Sequence, residues 1–446
     1  MNVRWTLNVE GFGKIDKASI RISPLMVFTG DNNSGKSYLM SLLWGILTME
    51  DYLPSPFSFD SPTHTELRKW LLSKSDCNEF EIDAEIIQLF FSHFSESLQA
   101  SKDVLVQHVF NASIPISRIS ITDPEISVPI TVRLTDSEGI VGEVTKGETI
   151  VYQIPRHLLQ ENTTDDIEEA LYIIYSDLIL GNLAFLPEKV FYFPASRTGF
   201  MLTYKALAKK AVRYGFRTST SSRSSDMGNL TSPVSKFLSD LVGLSLIDSN
   251  RLGPIADFLE KKILQGKIEK DQAPVPSYTF KPAGLDQSLS LHLTSSLVAE
   301  LTPIVSFLKS TYDIEVMIIE EPEAHLHLDM QRQMARAIVR LVNAGVPVWI
   351  TTHSDTLVQQ INNLIQLEQN SQRQALAEQF EYEEADFLSP DKVTAYQFNA
   401  GPVHTEIQQL PLTANGFALP TFTETIRDLS KETLAFMETE TDEEDD

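Results

Sequence analysis

The sequence predicts an α/β fold organised on a parallel sheet, and three observations carry that prediction. The apolar run "LMVFTG" (25–30) ends in glycine, passes through "DNNSGKS" and opens into a helix-like stretch, "YLMSLLWGILTM". Further on, "IEVMIIEE" (314–321), "DMQRQMARAIVRLVNAG" (329–345) and "VPVWITTH" (346–353) read as strand, helix, strand, with Met330, Met334, Ile338 and Val342 on one helical stripe. That order implies parallel strands joined by right-handed crossovers. Finally, "KVFYF" (189–193) is another apolar strand, halted by Pro194.

The elements follow in order. Residues 3–29 read as short strands, with "RWTLNV" and the alternating "KASIRIS" before the buried "LMVFTG". A helix starts at Ser37. Segment 51–185 is mixed, helical around "AEIIQLFFSHF" and β-like in "PITVRLTDSEGIVGEV", and is expected to be an inserted α+β lobe. Residues 201–280 form an expected helical insertion: a helix over 203–217, a flexible "TSTSSRSS" loop, then "PVSKFLSDLVGL" and "PIADFLEKKIL". The principal domain is therefore expected from 1–50 and 186–365, followed by a C-terminal extension at 366–430. The acidic tail at 431–446 is expected to be disordered.

Composition bounds the function. The 446 residues suffice for two or three folding units, and 42% hydrophobic with 22% charged residues is an ordinary globular balance. No apolar stretch is long enough to cross a bilayer, and the N-terminus has no signal-peptide pattern. The single cysteine, Cys77, excludes an internal disulfide, so a cytoplasmic location is expected. A formal net charge of −25 repels nucleic acid and anionic membranes overall. One stretch opposes it: Arg197 to Arg223 holds seven basic residues and no acidic one.

"GDNNSGKS" (30–37) matches G-x-x-x-x-G-K-[S/T] in the setting its chemistry demands, after a strand and before a helix. Gly30 and Gly35 let the backbone curl, and the amides of Asn32, Asn33, Ser34 and Gly35 face phosphates at the helix N-terminus. Lys36 pairs with the β- and γ-phosphates, and Ser37 holds Mg²⁺. Such an ATP site needs a second strand ending in an acid that supports Mg²⁺ beside a carboxylate that orients water. "VMIIEE" supplies Glu320 for the metal and Glu321 for the water, and His353 at the next strand end suits a γ-phosphate sensor. The competing reading draws His325, His327, Glu321 and Glu323 as a separate metal cluster. It predicts neither the upstream loop nor the downstream histidine.

Four segments together, "FTGDNNSGKS", "FPASRTG" (193–199), "SLHLTSS" (290–296) and "IIEEPEAHLH…ITTHSD", resemble the ABC-type ATPase heads of the SMC and OLD (overcoming lysogenization defect) kind. These are often labelled AAA-family ATPases in bacterial defence operons. The resemblance covers 1–50 and about 186–365 well and 51–185 poorly. It implies a P-loop NTPase fold of the ABC-head type and a homodimer that sandwiches ATP between one subunit's loop and the other's signature serine, Ser295 or Ser296. Higher oligomers are compatible with it. Ala324–His327 would cross that interface. Three departures from the pattern stand out: Glu320 stands where aspartate is commoner, Leu297 where a signature glycine is usual, and Ser196 and Arg197 in the segment where transporter heads carry a glutamine. OLD-type proteins append a Toprim nuclease, but the residues after His353 carry no Asp-x-Asp behind an apolar strand. The resemblance then implies the ATPase subunit of an anti-phage system with a separate effector protein. An SMC-like DNA repair ATPase is the alternative, and a transporter motor a weaker one.

Lys205, Lys209, Arg213 and Arg217 recur every four residues, a basic stripe on a helix to which Lys210 and Arg223 add. It is read either as a phosphate-backbone contact or as a solvated face. His64, His93, His108, His157, His292 and His404 have no ligand spacing, and Cys77 has no histidine near it in sequence.

Overall fold

The computed structural model describes residues 3–49, 60–126, 129–136, 141–146, 149–160, 164–180, 187–215, 230–247, 250–271, 273, 275–418 and 427–436. The elements that position the site are β1 (Val3–Phe12), β2 (Ile15–Arg21), β3 (Leu25–Gly30), α1 (Lys36–Leu47), α2 (Ala84–Phe110), β4 (Arg118–Ile126) and β5 (Val190–Phe193). They continue with α3 (Arg197–Gly215), α4 (Ser296–Leu308), β6 (Val316–Glu320), α5 (Leu328–Asn343), β7 (Val348–Thr351), α6 (Asp355–Gln369), β8 (Val393–Ala400) and β9 (Thr405–Leu410).

Nine strands form one sheet in the order β4-β1-β2-β9-β8-β3-β7-β6-β5. The half from β8 to β5 is parallel throughout. At the other end β1 pairs antiparallel with both β2 and β4, and the antiparallel β8–β9 pair joins the two halves, β9 running parallel to β2. Side chains alternate across the parallel half, which explains its unbroken apolar runs. Met26, Phe28, Ile318 and Trp349 face a core shared with α1 and α2, whereas Leu25, Val27, Met317, Ile319, Val348 and Ile350 face a core shared with α4, α5 and α6.

Two boundaries expected from the sequence are redrawn by this sheet. The segment 51–185 is not free of it: β4 is its edge strand, and α2, within the same segment, packs in the core that covers β1. The same segment also holds a second, four-stranded sheet from Glu79–Glu81, Ile130–Thr135, Val141–Lys146 and Thr149–Pro155, with helices at Pro62–Leu72, His157–Gln160 and Thr164–Leu180. Nor does the principal domain stop at 365, because β8 lies directly against β3. The helix expected over 203–217 is found as α3, and its last expected residues, with the 218–225 loop and the tail beyond 436, lie outside the described residues. Among the described residues no helix is long and apolar enough to cross a membrane.

Candidate nucleotide site

The loop between β3 and α1 is shaped by three residues in the left-handed region: Gly30 (φ 121°), Asn33 (φ 56°) and Gly35 (φ 94°). Gly30 is obligatory for a second reason, since a Cβ there would lie 2.1 Å from the Phe398 carbonyl oxygen of β8. That strand also anchors the loop directly. The Asp31 amide donates to the Phe398 carbonyl at 3.0 Å, and the Ala400 amide donates to Asp31 Oδ2 at 2.9 Å. The Ser34 hydroxyl closes the turn by donating to the Asp31 carbonyl at 2.7 Å.

Lys36 is buried, and its ammonium donates into the loop, to the carbonyls of Asp31 (2.6 Å) and Gly30 (3.1 Å). Burial pushes its pKa down, while the charges of Glu321, Asp31, Glu323 and Glu320 push it back up. Those four carboxylates therefore surround the lysine. Asn32, Asn33 and Ser37 are exposed around the same loop.

Glu320 ends β6, one strand removed from β3 across β7, and Glu321 follows it directly. Glu320 is buried; its Oε1 accepts from the Tyr192 hydroxyl and its Oε2 from the Ala195 amide at 3.1 Å. Each oxygen retains a lone pair for a further partner. Tyr192 stays protonated, since burial and then the Glu320 charge raise its pKa well above the usual value. Glu321 takes a left-handed backbone (φ 45°) that turns the chain off the sheet, its amide donating to the Thr351 carbonyl at 2.9 Å.

Glu323 is a member of this site that sequence reasoning placed only in the rejected metal cluster. Its Oε1 accepts from the Thr352 hydroxyl (2.8 Å) and the His353 amide (2.7 Å), tying the turn after β6 to the end of β7. Burial raises its pKa against those hydrogen bonds, and the Glu321 charge adds to the rise. His353 is exposed; burial of its ring and then the Lys36 charge lower its pKa, so it is neutral at pH 7. Lys36, Glu321 and His353 thus lie within mutual electrostatic reach, brought together from three strand ends.

Other expected residues lie apart from this cluster. Ser295 and Ser296 are exposed at the start of α4, and no hydrogen bond among the described residues joins them to the loop. His325 and His327 are exposed on the turn after Glu321. Among the described residues no group of three or more His, Cys, Asp or Glu is arranged to hold a metal ion. Lys205 donates to the Ser277 hydroxyl, which occupies one member of the basic stripe. Lys209, Lys210 and Arg213 follow on α3, their side chains outside the described residues, as are Arg217 and Arg223 entirely.

The loop and its surroundings fit a nucleotide with Mg²⁺ on their own geometry: a curled backbone ahead of a helix N-terminus, a buried lysine inside the curl and acidic side chains opposite. Among families of known proteins, that of the AAA ATPase domain matches residues 5–181 and 228–358, more than half of the chain. The match runs through the segment 51–185, where the sequence resemblance was poor. No curated protein matches. Solved structures that resemble the chain include an SMC head bound to the C-winged helix domain of ScpA (12% identity, 91% of this chain and 98% of that one, TM-score 0.36). Another is a Pyrococcus furiosus SMC head with an extended coiled coil, bound to the C-terminal domain of ScpA (12%, 95% and 98%, 0.36). The SMC head of Thermotoga maritima gives 8% identity, 92% and 100% coverage and a TM-score of 0.34. These scores are too low to carry an inference. The family match and the loop geometry suffice: this mixed α/β chain is a P-loop NTPase and belongs to the AAA ATPase domain family.

Proposed function

We propose that the chain hydrolyses ATP with Mg²⁺ and works as a homodimeric switch of the ABC-head kind, controlling a separate effector protein in anti-phage defence. The observation that carries the reading is the convergence of Lys36, Glu320, Glu321, Glu323 and His353 on one point. Ser37 and Glu320 are the residues that would hold Mg²⁺, which supplies charge neutralisation at the phosphates. Lys36 would exchange the loop carbonyls for the β- and γ-phosphates. Glu321 would orient the attacking water and accept its proton. Neutral His353 has a ring N–H to donate to the γ-phosphate. The dimer is supported by the surface. Leu293 and Leu328 are more than half exposed and flank Ser295–Ser296 and Ala324–His327, the two segments assigned to the interface.

Lys36→Ala should abolish binding of a fluorescent ATP analogue. Glu321→Gln should keep binding, stop turnover and accumulate an ATP-bound dimer by light scattering. Equal turnover in wild type and Glu321→Gln would overturn the assignment. A DNA repair ATPase would share the site, and the basic residues along α3 favour testing it: stimulation of turnover by DNA without any effector protein would select that reading.

A further inference from the structure

Arg197 stands in the segment where transporter heads carry a glutamine, and the structure gives it an occupation. It is fully buried beside Glu300, which is 1% exposed, with 2.7 Å between Arg197 Nη2 and Glu300 Oε1. Burying such a pair is costly unless every donor and acceptor finds a partner. Here both terminal nitrogens of the guanidinium also donate to backbone, and only Nε is buried without a hydrogen-bond partner. Nη1 donates to the carbonyls of Pro194 (3.1 Å) and Glu320 (2.5 Å), and Nη2 to that of Glu321 (3.0 Å). Both carbonyls that bracket the left-handed Glu321 backbone are thus held by one side chain. For a non-glycine residue that conformation costs about 1–2 kcal/mol and has to be held from outside.

The other end of the pair leads to the start of α4. Glu300 sits in that helix, four residues beyond Ser296, and its Oε2 accepts from the Thr198 amide (2.9 Å) and hydroxyl (2.6 Å). The Thr198 hydroxyl also lies 3.3 Å from the Ser296 carbonyl. A continuous chain of contacts therefore runs from the exposed Ser296 through Thr198 to the buried Glu300 and Arg197 and on to the backbone of Glu321.

We infer that Arg197 is a positioning residue that couples the N-terminus of α4 to the orientation of Glu321, so that a contact made at Ser295–Ser296 is felt at the water-orienting carboxylate. The inference rests on the role proposed for Glu321. A lysine cannot replace the planar fork, because one ammonium does not span three carbonyls and a carboxylate.

The experiment combines nucleotide affinity, turnover and hydrogen exchange in the full chain. Arg197→Lys should leave the Kd of a fluorescent ATP analogue within about threefold, since the Lys36 loop is untouched. It should lower kcat about 10- to 100-fold, the usual penalty for a catalytic group displaced by about 1 Å. It should also speed exchange in peptides covering 319–327. Glu300→Gln should speed exchange in those same peptides, although Glu300 touches none of them. The double variant Arg197→Met/Glu300→Leu leaves no orphaned charge and should fold with a higher Tm than Arg197→Met alone. It should nonetheless keep the low kcat and the fast exchange. Restoration of both to wild-type values in the double variant would mean the pair only neutralises itself, and the inference falls. Exchange at 319–327 unchanged in Arg197→Lys and Glu300→Gln would also overturn it. Wild-type turnover indifferent to Glu321→Gln would instead refute the proposed function, and the exchange arm would still decide the coupling.

Discussion

Replacing Gly30 with alanine tests whether β8 and the nucleotide loop are one mechanical unit. The new Cβ would lie 2.1 Å from the Phe398 oxygen, 2.7 Å from its nitrogen and 2.8 Å from its carbonyl carbon, all backbone atoms with no rotamer to yield. Restoring normal contact requires the loop and β8 to separate by roughly 1 Å. The left-handed φ of 121° adds a strain of about 1–2 kcal/mol. A shift of that size strains the Asp31–Phe398 and Ala400–Asp31 hydrogen bonds, which hold the amides that would face the phosphates. ATP affinity should fall at least tenfold. Ligand binding stabilises by RT ln(1 + [L]/Kd), about 2.7 kcal/mol at 100 times the wild-type Kd. At the same ATP concentration the variant should retain at most about 1.4 kcal/mol. Thermal melts with and without ATP, with a fluorescent-analogue titration, measure the difference within each protein. Gly284→Ala is the control: its φ is 80°, but a Cβ there meets nothing within 4 Å. It should cost only the backbone strain and leave the ATP-dependent shift intact. A full shift and unchanged Kd in Gly30→Ala would refute the claim that β8 sets the loop.

Two further outcomes concern charged residues. Asp386, fully buried, accepts from Arg340 Nε at 2.7 Å and Arg336 Nη2 at 2.8 Å, fastening the chain after α6 to α5. Asp386→Ala removes the buried carboxylate the two arginines share, leaving Arg340 with Glu383 and Arg336 with Gln333 and the Glu381 carbonyl, and should cost about 3 kcal/mol, read as a lower Tm at pH 7. Burial raises the Asp386 pKa, but the arginine hydrogen bonds outweigh it and the net shift is downward. A depressed carboxyl stabilises above its unfolded value, near 3.9, and loses that contribution as pH falls through its lower folded value. The wild-type and variant melts should therefore converge only below about pH 4. On α3, if the basic residues contact a phosphate backbone, Lys209→Glu with Arg213→Glu should weaken binding to all sequences alike. The same change should flatten the salt dependence by about one counterion per lost contact. Sequence-selective loss, or no binding by wild type at low salt, would count against that contact.

The parallel half of the sheet and the nucleotide loop were legible because each has a local signature: unbroken apolar runs for strands covered on both faces, and fixed glycine and lysine spacing for the loop. β8 had no such signature. "VTAYQFNA" carries Thr394, Gln397 and Asn399, and it lies between two cores only because its neighbours arrive from other parts of the chain. Gln397 is 1% exposed, a buried polar side chain that no hydropathy pattern assigns to a central strand. The same limit hid the pairing of Arg197 with Glu300. A charged residue reads as surface unless its partner is known, and these two are separated by more than a hundred residues. Glu323 was visible but misplaced, because three glutamates in four positions invite a metal reading until the turn at the left-handed Glu321 and Pro322 is seen to bring Glu323 onto the end of β7.

The supports that were not legible share a position in the fold: each holds the backbone or the carboxylate of a residue at the candidate site. Phe398 and Ala400 hold the loop around Gly30 and Asp31, Tyr192 and Ala195 hold Glu320, and Arg197 holds the turn at Glu321. The chemistry-bearing residues are conspicuous in sequence because their types are constrained by phosphate, metal and water. Their supports are constrained only by geometry, and hydrogen bonds to backbone carbonyls and amides can be supplied from any part of the chain. The supports here come from β5, from the start of α3 and from a hairpin beyond residue 392, so the site is assembled from nearly the whole length of the chain. The proposed switch would then have a physical handle: moving α4 or the β8–β9 hairpin would shift the backbone of the candidate site without touching its charged side chains. Truncation before β8 should therefore abolish ATP binding even though every motif residue remains, and a truncated chain that still folds and binds ATP with wild-type affinity would show that the loop supports itself.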